Sequence, residues 1–338
     1  MAASDEIGVT VLSRDPEQTR RQYGLEAVPR FNLFRVRRAL KRCDALLSGG
    51  GSLLQDRTST RSLVYYLSVI RWAKRMGKPV MLYANGIGPV TRPENREKVK
   101  RTVELADVVT LRDQASAREL LDMGVTRPEL HVTADPVFNL APAPEERGAE
   151  LLRGTGLPEG AAFAAVSVRG WPAAADFPEQ TARLCDHLRR AHGLEILFLM
   201  MQPAADRETT ERVRRAMEGP SYLLDVSASP SELMAVLGRA RLCVAMRLHT
   251  LIFAARMAVP TVGLVYDPKV ASYLQELELP SAGDVEHFDE KHACQVCDGL
   301  MADYDRVLAR LKERSAALSA AARENEALLL ELLRSSRP

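Results

Sequence analysis

Short Val- and Leu-rich runs alternate with longer amphipathic stretches along most of this chain, and that rhythm constrains the fold more than any other feature. The runs GVTVLS, DALLSG, PVMLYAN, VVTLR, LHVTAD, FAAVSVR, EILFLM, SYLLDV, LCVAM and TVGLVY are mostly apolar without strict alternation, as strands covered on both faces are. Helix-like patterns fill 60–77, 93–107, 114–124, 176–193, 206–218, 230–240 and 249–258. This βαβα order predicts an α/β fold of open parallel sheets with helices on both sides. The rhythm breaks once, at FNLAPAPEERGAELLRGTGLPEGA (138–161), which is rich in Pro, Gly and charge and predicts a domain boundary. Two Rossmann-like domains facing across a cleft are therefore expected, 1–150 and 151–310. The Ala-, Leu-, Glu- and Arg-rich stretch 311–338 reads as a long C-terminal helix packed across the junction.

Composition narrows the function classes. A length of 338 residues suits two domains of roughly 150. With 46 basic and 44 acidic side chains the formal charge is +2, which gives no argument for a nucleic-acid partner. The start of the chain lacks the pattern of a signal peptide, and no run approaches the roughly 20 apolar residues of a membrane span. Five cysteines in a long chain fit a reducing, cytoplasmic setting. Cys43, Cys185 and Cys243 lie in apolar segments and read as small core residues. Cys294 and Cys297 form a lone C-x-x-C with no second ligand pair at metal spacing, so no metal site is expected.

In open α/β sheets ligands bind beyond the carboxyl ends of the strands, so polar residues there are the candidates. In ALLSGGGSLLQD, Ser48, Gly50 and Gly51 follow a strand, where glycines let backbone amides approach a ligand. The spacing is neither G-x-G-x-x-G nor a P-loop. Asp56 to Arg61, including Thr58, form a polar cluster that either lines the same edge or caps the next helix. Asn85 ends another strand, and Arg112 another; Arg112 binds an anion or pairs with Asp113 or Asp135. Arg169 and Trp171 follow VSV, and Gln202 and Asp206 follow ILFLM. In AMRLHT, Arg247 and His249 are two residues apart in an extended segment and face one way. A helix begins there, its N-terminus favouring negative charge. YDPK then brings Lys269 to the end of the next strand. Arginine, lysine and an imidazole at one edge make an anion site with a proton donor.

LLSGGGSLLQD, YANGIGP, LRDQAS, VSVRGW and MRLHTLIFAARMAVPTVGLVYDPKV, in that order, resemble the polysaccharide pyruvyl transferases. The similarity spans about residues 7–310 and is nearest to the CsaB type, which prepares secondary cell-wall polymers for S-layer anchoring. The resemblance implies a fold similar to that of GT-B glycosyltransferases. It implies phosphoenolpyruvate as donor and, as acceptor, an N-acetylmannosamine on a lipid-diphosphate-linked precursor at the inner face of the membrane. The implied product is a 4,6-pyruvate ketal, made without a cofactor. Arg247 and His249 fall on the family's Arg/His pair, both as catalytic residues, and Lys269 on its downstream lysine. Arg247, Lys269, Arg169 and Arg112 are the expected donor ligands. Ser48, Gly50, Gly51, Asp56 and Asn85 are the expected acceptor ligands. Members of this type open with a further strand and a loop ending in Gly-Asp-Glu. Here the chain opens at what resembles the next unit, so an acceptor side without that loop is expected.

Two other functions fit the same residues. A nucleotide-sugar-dependent glycosyltransferase shares fold and basic edge, and predicts nucleotide diphosphate binding. A non-catalytic sugar- or anion-binding protein predicts binding without phosphate release. Oligomeric state is left open by the residues.

Overall fold

A computed structural model describes residues 7–57 and 59–335. The chain forms two compact units. The N-terminal unit comprises the chain up to Pro136 together with Ala320 onward, and the C-terminal unit is Val137–Ser319. The sequence reading instead divides the chain within 138–161 and sets the last helix apart. The Pro- and charge-rich segment is absorbed by a helix of the second unit, because Leu151 and Leu152 in it are buried.

In the N-terminal unit the elements are β1 (Thr10–Ser13), α1 (Pro16–Tyr23), β2 (Glu26–Pro29), α2 (Leu33–Arg42), β3 (Leu46–Gly49), α3 (Thr60–Arg75), β4 (Val80–Asn85), α4 (Pro93–Val103), β5 (Val108–Leu111), α5 (Gln114–Asp122) and β6 (Leu130–Val132). β1 and β2 pair as a parallel two-stranded sheet, and β3-β4-β5-β6 make a parallel four-stranded sheet in chain order. One core joins Val36 and Leu40 of α2, Leu63, Leu67 and Ile70 of α3, and Val80 and Leu82 of β4.

The C-terminal unit runs α6 (Glu145–Gly154), β7 (Phe163–Ser167), α7 (Phe177–His192), β8 (Glu195–Leu199), α8 (Pro203–Ala216), β9 (Tyr222–Leu224), α9 (Pro230–Leu237), β10 (Leu242–Ala245), α10 (Leu248–Arg256), β11 (Thr261–Val265), α11 (Pro268–Glu276), β12 (Ser281–Asp284) and α12 (Glu290–Ala302). Its sheet is parallel, in the order β12-β11-β10-β7-β8-β9. β7, β8, β10 and β11 are almost wholly buried, which explains their apolar runs without alternation. The chain builds outward from β7 to β9, then returns to β7's other side and builds outward again. The sheet thus changes direction between β7 and β10, the place where open α/β sheets hold ligands.

α13 (Tyr304–Ser335) is the expected long C-terminal helix. Its Leu329 and Leu332 pack on Met81 in the N-terminal unit. Asn325 is wholly buried there, accepting from the Thr133 hydroxyl at 2.9 Å and donating to the Ala134 carbonyl at 3.2 Å.

Candidate active site

The C-terminal unit brings Arg169, Arg247, His249 and Lys269 to one edge. Arg169 follows β7, Arg247 and His249 follow β10, and Lys269 follows β11; these are three adjacent strands. Ala245 at the end of β10 is in register with Ser167 of β7 and Gly263 of β11. The Thr250 hydroxyl meets that of Ser167 at 3.1 Å, which ties the start of α10 to the end of β7.

Arg247 is the N-cap residue of α10 and provides no side-chain capping bond. The first amides of a helix lack intrahelical acceptors, so this end is a ready anion cradle. His249, in the first turn, is exposed. The guanidinium of Arg247 is instead turned to Asp206 near the start of α8. Its Nε donates to Asp206 Oδ1 at 3.0 Å, and a terminal nitrogen donates to the same oxygen. Both residues are buried, Asp206 completely, and the second carboxylate oxygen accepts from the Gln202 amide at 2.8 Å. An ion pair taken out of water needs such additional bonds to persist. The sequence places Asp206 at this edge, but only the folded chain shows it occupying Arg247.

Arg169 lies over the Tyr266 ring, with 5.3 Å between Cζ and the ring centroid. Trp171 meets the same ring edge-on at 5.4 Å, and its Nε1 donates to Glu286 at 2.7 Å. Arg169 Nε is buried and has no hydrogen-bond partner among the described residues. Tyr266 therefore packs against the guanidinium, a contact absent from the sequence-based expectations. Its position at the end of the β11 run was the available signal. Lys269 sits in the first turn of α11, where its amide is bound by the Asp267 carboxylate at 3.0 Å, and it is partly buried.

The N-terminal unit gathers the other candidates at the carboxyl ends of β3, β4 and β5. Ser48 is buried in β3. Gly50 and Gly51 both adopt left-handed backbone, with φ of 67° and 64°. The path of the turn alone therefore demands glycine at these two positions. The Gly50 amide bonds Tyr83 O at 2.9 Å, and Gly51 O accepts from the Gly86 amide at 3.0 Å, so the loop is laced to the end of β4. Asn85 is 0% exposed, and both polar atoms of its side chain lack partners among the described residues. Leaving such a group unpaired costs about 1–3 kcal/mol, so an amide held this way calls for a ligand or water.

Two expected ligands are engaged in holding the unit together. Asp56, expected at the acceptor, is buried. It accepts from the Thr91 amide and hydroxyl at 2.9 and 3.1 Å, the Arg92 amide at 3.1 Å and the Asn95 side chain at 2.9 Å. Burial pushes its carboxyl up, but these donors overcome that and hold its pKa down to about 2. Arg112, expected at the donor, is buried and lies in the other unit from Arg169 and Lys269. It pairs with Asp135 at 3.2 Å and Asp113 at 3.4 Å, and donates to the Ser52 hydroxyl at 3.2 Å. Gly86 gives it room: a Cβ there would stand 2.8 Å from the guanidinium. In the neighbouring polar cluster Ser59 caps α3 by accepting from the Ser62 amide at 3.3 Å, and Thr58 lies outside the described residues.

Cys294 and Cys297 lie on α12, and burial raises both thiols, to about 11 and about 12. Among the described residues, one group of potential metal ligands lies within 4.8 Å: His187, His192 and Asp298. Here Asp298 sits 2.8 and 2.7 Å from the two Nε2 atoms and clamps α7 to α12. His192 ends α7 just before β8 begins, so this clamp is at the amino ends of the strands, away from the edge described above.

The fold has solved counterparts. Anabaena HepE in complex with UDP and glucose superposes with a TM-score of 0.62 at 12% identity, over 97% of this chain and 91% of that one. The UDP-GlcNAc 2-epimerase from Neisseria meningitidis bound to UDP-GlcNAc does so at 0.59 and 10% identity, over 96% and 91%. At such identity the likeness shows the GT-B-like fold alone. No curated protein sequence matches the chain. The polysaccharide pyruvyl transferase model matches residues 3–268, ending one residue before Lys269. A match over most of the length places this chain in the polysaccharide pyruvyl transferase family.

Proposed function

We propose that the protein transfers the enolpyruvyl group of phosphoenolpyruvate to a sugar and closes it to a 4,6-pyruvate ketal, releasing phosphate. The observation that carries this reading is the edge of the C-terminal unit. There, within the family's own matched region, an aromatic-stacked Arg169 with an unpaired buried Nε shares adjacent strand ends with the uncapped start of α10. Phosphoenolpyruvate carries a carboxylate and a phosphate, and Arg169, Lys269 and the α10 amides are the donors for them. Arg247, bound by Asp206, positions the turn that presents His249 and is not the principal anion ligand.

A proton is added to the methylene carbon, which becomes the methyl group, and C2 becomes electrophilic. One sugar hydroxyl adds to C2 and gives up its proton, which restores the acid that protonated the methylene carbon. Phosphate departs with the C2–O bond electrons, and the second hydroxyl closes the ring and gives up its proton. His249 is the proton donor to the methylene carbon or to the departing phosphate. On the acceptor side, Ser48, the Gly50–Gly51 turn and Asn85 supply polar groups for sugar hydroxyls. The acceptor is an N-acetylmannosamine on a lipid diphosphate, as in the CsaB type that serves S-layer anchoring, and the enzyme works at the cytoplasmic face of the membrane.

The test is phosphate release from phosphoenolpyruvate with and without a soluble β-N-acetylmannosaminyl diphosphate-lipid analogue. Acceptor-dependent release is expected, with a ketal in the product by NMR. Absence of release together with hydrolysis or transfer from a UDP-sugar would replace this reading with glycosyl transfer.

A further inference from the structure

The N-terminal unit carries a surface that pyruvyl transfer does not use. Helix α2, capped by Asn32, buries Val36 and Leu40 against the core. On its outward side Phe34 is 90% exposed, and Phe31 just before the helix is 69% exposed. Leu33 and Tyr23 are exposed beside them. Large apolar side chains clustered in water are unusual on a folded domain and mark a contact surface.

Along the segment that carries Phe31 and Phe34 the charge is of one sign. From Arg30 to Arg42 the segment RFNLFRVRRALKR holds six cations and no carboxylate. Phe34, Arg37, Arg38 and Lys41 follow i, i+3, i+4, i+7 spacing, so they share the outward face. Arg30 stands 4.8 Å over the Phe31 ring, which also meets Tyr65 edge-on at 5.6 Å, so the aromatic is held in place. Beside the helix opens a groove of about 860 Å³ whose lining includes Arg14, Arg20, Arg35 and Tyr23, with Asp15 and Glu17 as its acids. The Asp15 carboxylate is used as the cap of α1.

We propose that this face docks on an anionic lipid surface, with Phe31, Leu33 and Phe34 in the headgroup boundary and the Arg/Lys ring on lipid phosphates. A helix lying in a bilayer interface needs this pairing of apolar tip and cationic flank. A nucleic-acid backbone would satisfy the cations but leave Phe34 in water. A second copy packed on the same face would set cations against cations. Among the described residues no helix is long and apolar enough to cross a membrane, so the contact is peripheral. The surface stands on its own observations; joined to the pyruvyl transfer reading, it would bring the enzyme to a lipid-linked acceptor.

The experiment is sedimentation of the full chain with phosphatidylcholine vesicles, with and without phosphatidylglycerol, at low and high salt. Binding is expected only with phosphatidylglycerol and weakens at high salt. F31S/F34S and R37E/R38E each lower the partition coefficient by at least about tenfold. Circular dichroism and the melting temperature check that these exposed changes leave the fold intact. Equal binding to neutral vesicles, no binding to anionic ones, or binding indifferent to both variants overturns the proposal. So does a solution dimer that F31S/F34S dissolves, or a preference for duplex RNA over the anionic vesicles. Phosphate release with the soluble acceptor is measured on the same variants. It is expected unchanged, and its failure in the parent protein would count against pyruvyl transfer, not against the surface.

Discussion

The Arg247 guanidinium and the Asp206 carboxylate form a buried ion pair at the carboxyl edge of the C-terminal sheet, joining the turn after β10 to the start of α8. Asp206 is wholly buried. Removing one partner strands the other charge, so Asp206→Ala should cost about 3–5 kcal/mol. Replacing both, as Asp206→Leu with Arg247→Met, should cost clearly less. Urea unfolding of Asp206→Leu, Arg247→Met and the double variant measures this. A double variant as unstable as the sum of the singles would show that the pair is not coupled.

His249 stands exposed in the first turn of α10. A positioned acid contributes about 10²–10⁴-fold, so His249→Ala should lower turnover at least about 100-fold with the melting temperature unchanged. Steady-state kinetics decides. An unaltered rate removes His249 from the proton-transfer step.

Arg169 should act on donor affinity. Arg169→Ala should raise the phosphoenolpyruvate KM at least about tenfold, and Arg169→Lys should restore little of it, since an ammonium neither stacks on Tyr266 as a plane nor grips in two prongs. Tyr266→Leu should move KM the same way, more weakly. A fall in kcat alone would place Arg169 in the transition state and not in donor binding.

Asp56 makes stability depend on acid. Its folded pKa, about 2, lies below the unfolded carboxylate value of about 3.9, so its contribution is fully present above that value and lost as pH falls through 2. Asp56→Ala leaves the donors of Thr91, Arg92 and Asn95 without their acceptor and should cost about 1–3 kcal/mol at neutral pH. It should also flatten the stability profile between pH 4 and 2, on the order of that pKa window. Thermal melts of both proteins across that range test it; parallel curves would discount Asp56 as the titrating group.

Gly86 should be intolerant of a side chain. Gly86→Ala drives a methyl against the Arg112 guanidinium, which Asp135, Asp113 and Ser52 hold in place. A drop of about 1–3 kcal/mol in unfolding free energy is expected. Pairing the change with Arg112→Ala should reduce the increment, and an equal increment in both backgrounds would contradict the contact.

Much was legible in the order of residues because parallel strands covered on both faces must be apolar throughout, and their helices must be amphipathic. That alone specified βα order, parallel sheets, the long last helix and the strand ends carrying Arg169, Arg247, His249 and Lys269. Elements with mixed periodicity stayed hidden: β2 and β12, the helices α1, α6, α11 and α12, and α2, whose buried Val36 and Leu40 are outnumbered by arginines. Pairing was hidden too. Whether an arginine at a strand end faces a ligand or a carboxylate depends on which distant residue the fold brings beside it. Asp206 lies 41 residues from Arg247, and nothing in the order of residues joins them; for Arg112 the sequence offers both an anion and a pairing with Asp113 or Asp135, and the fold makes the pairing. The same holds for Asp56, whose donors arrive 35 to 39 residues later along the chain. Residue type and period are local and can be read from a line of letters; the partner of a charge is a long-range contact, and only the packed tertiary structure decides it.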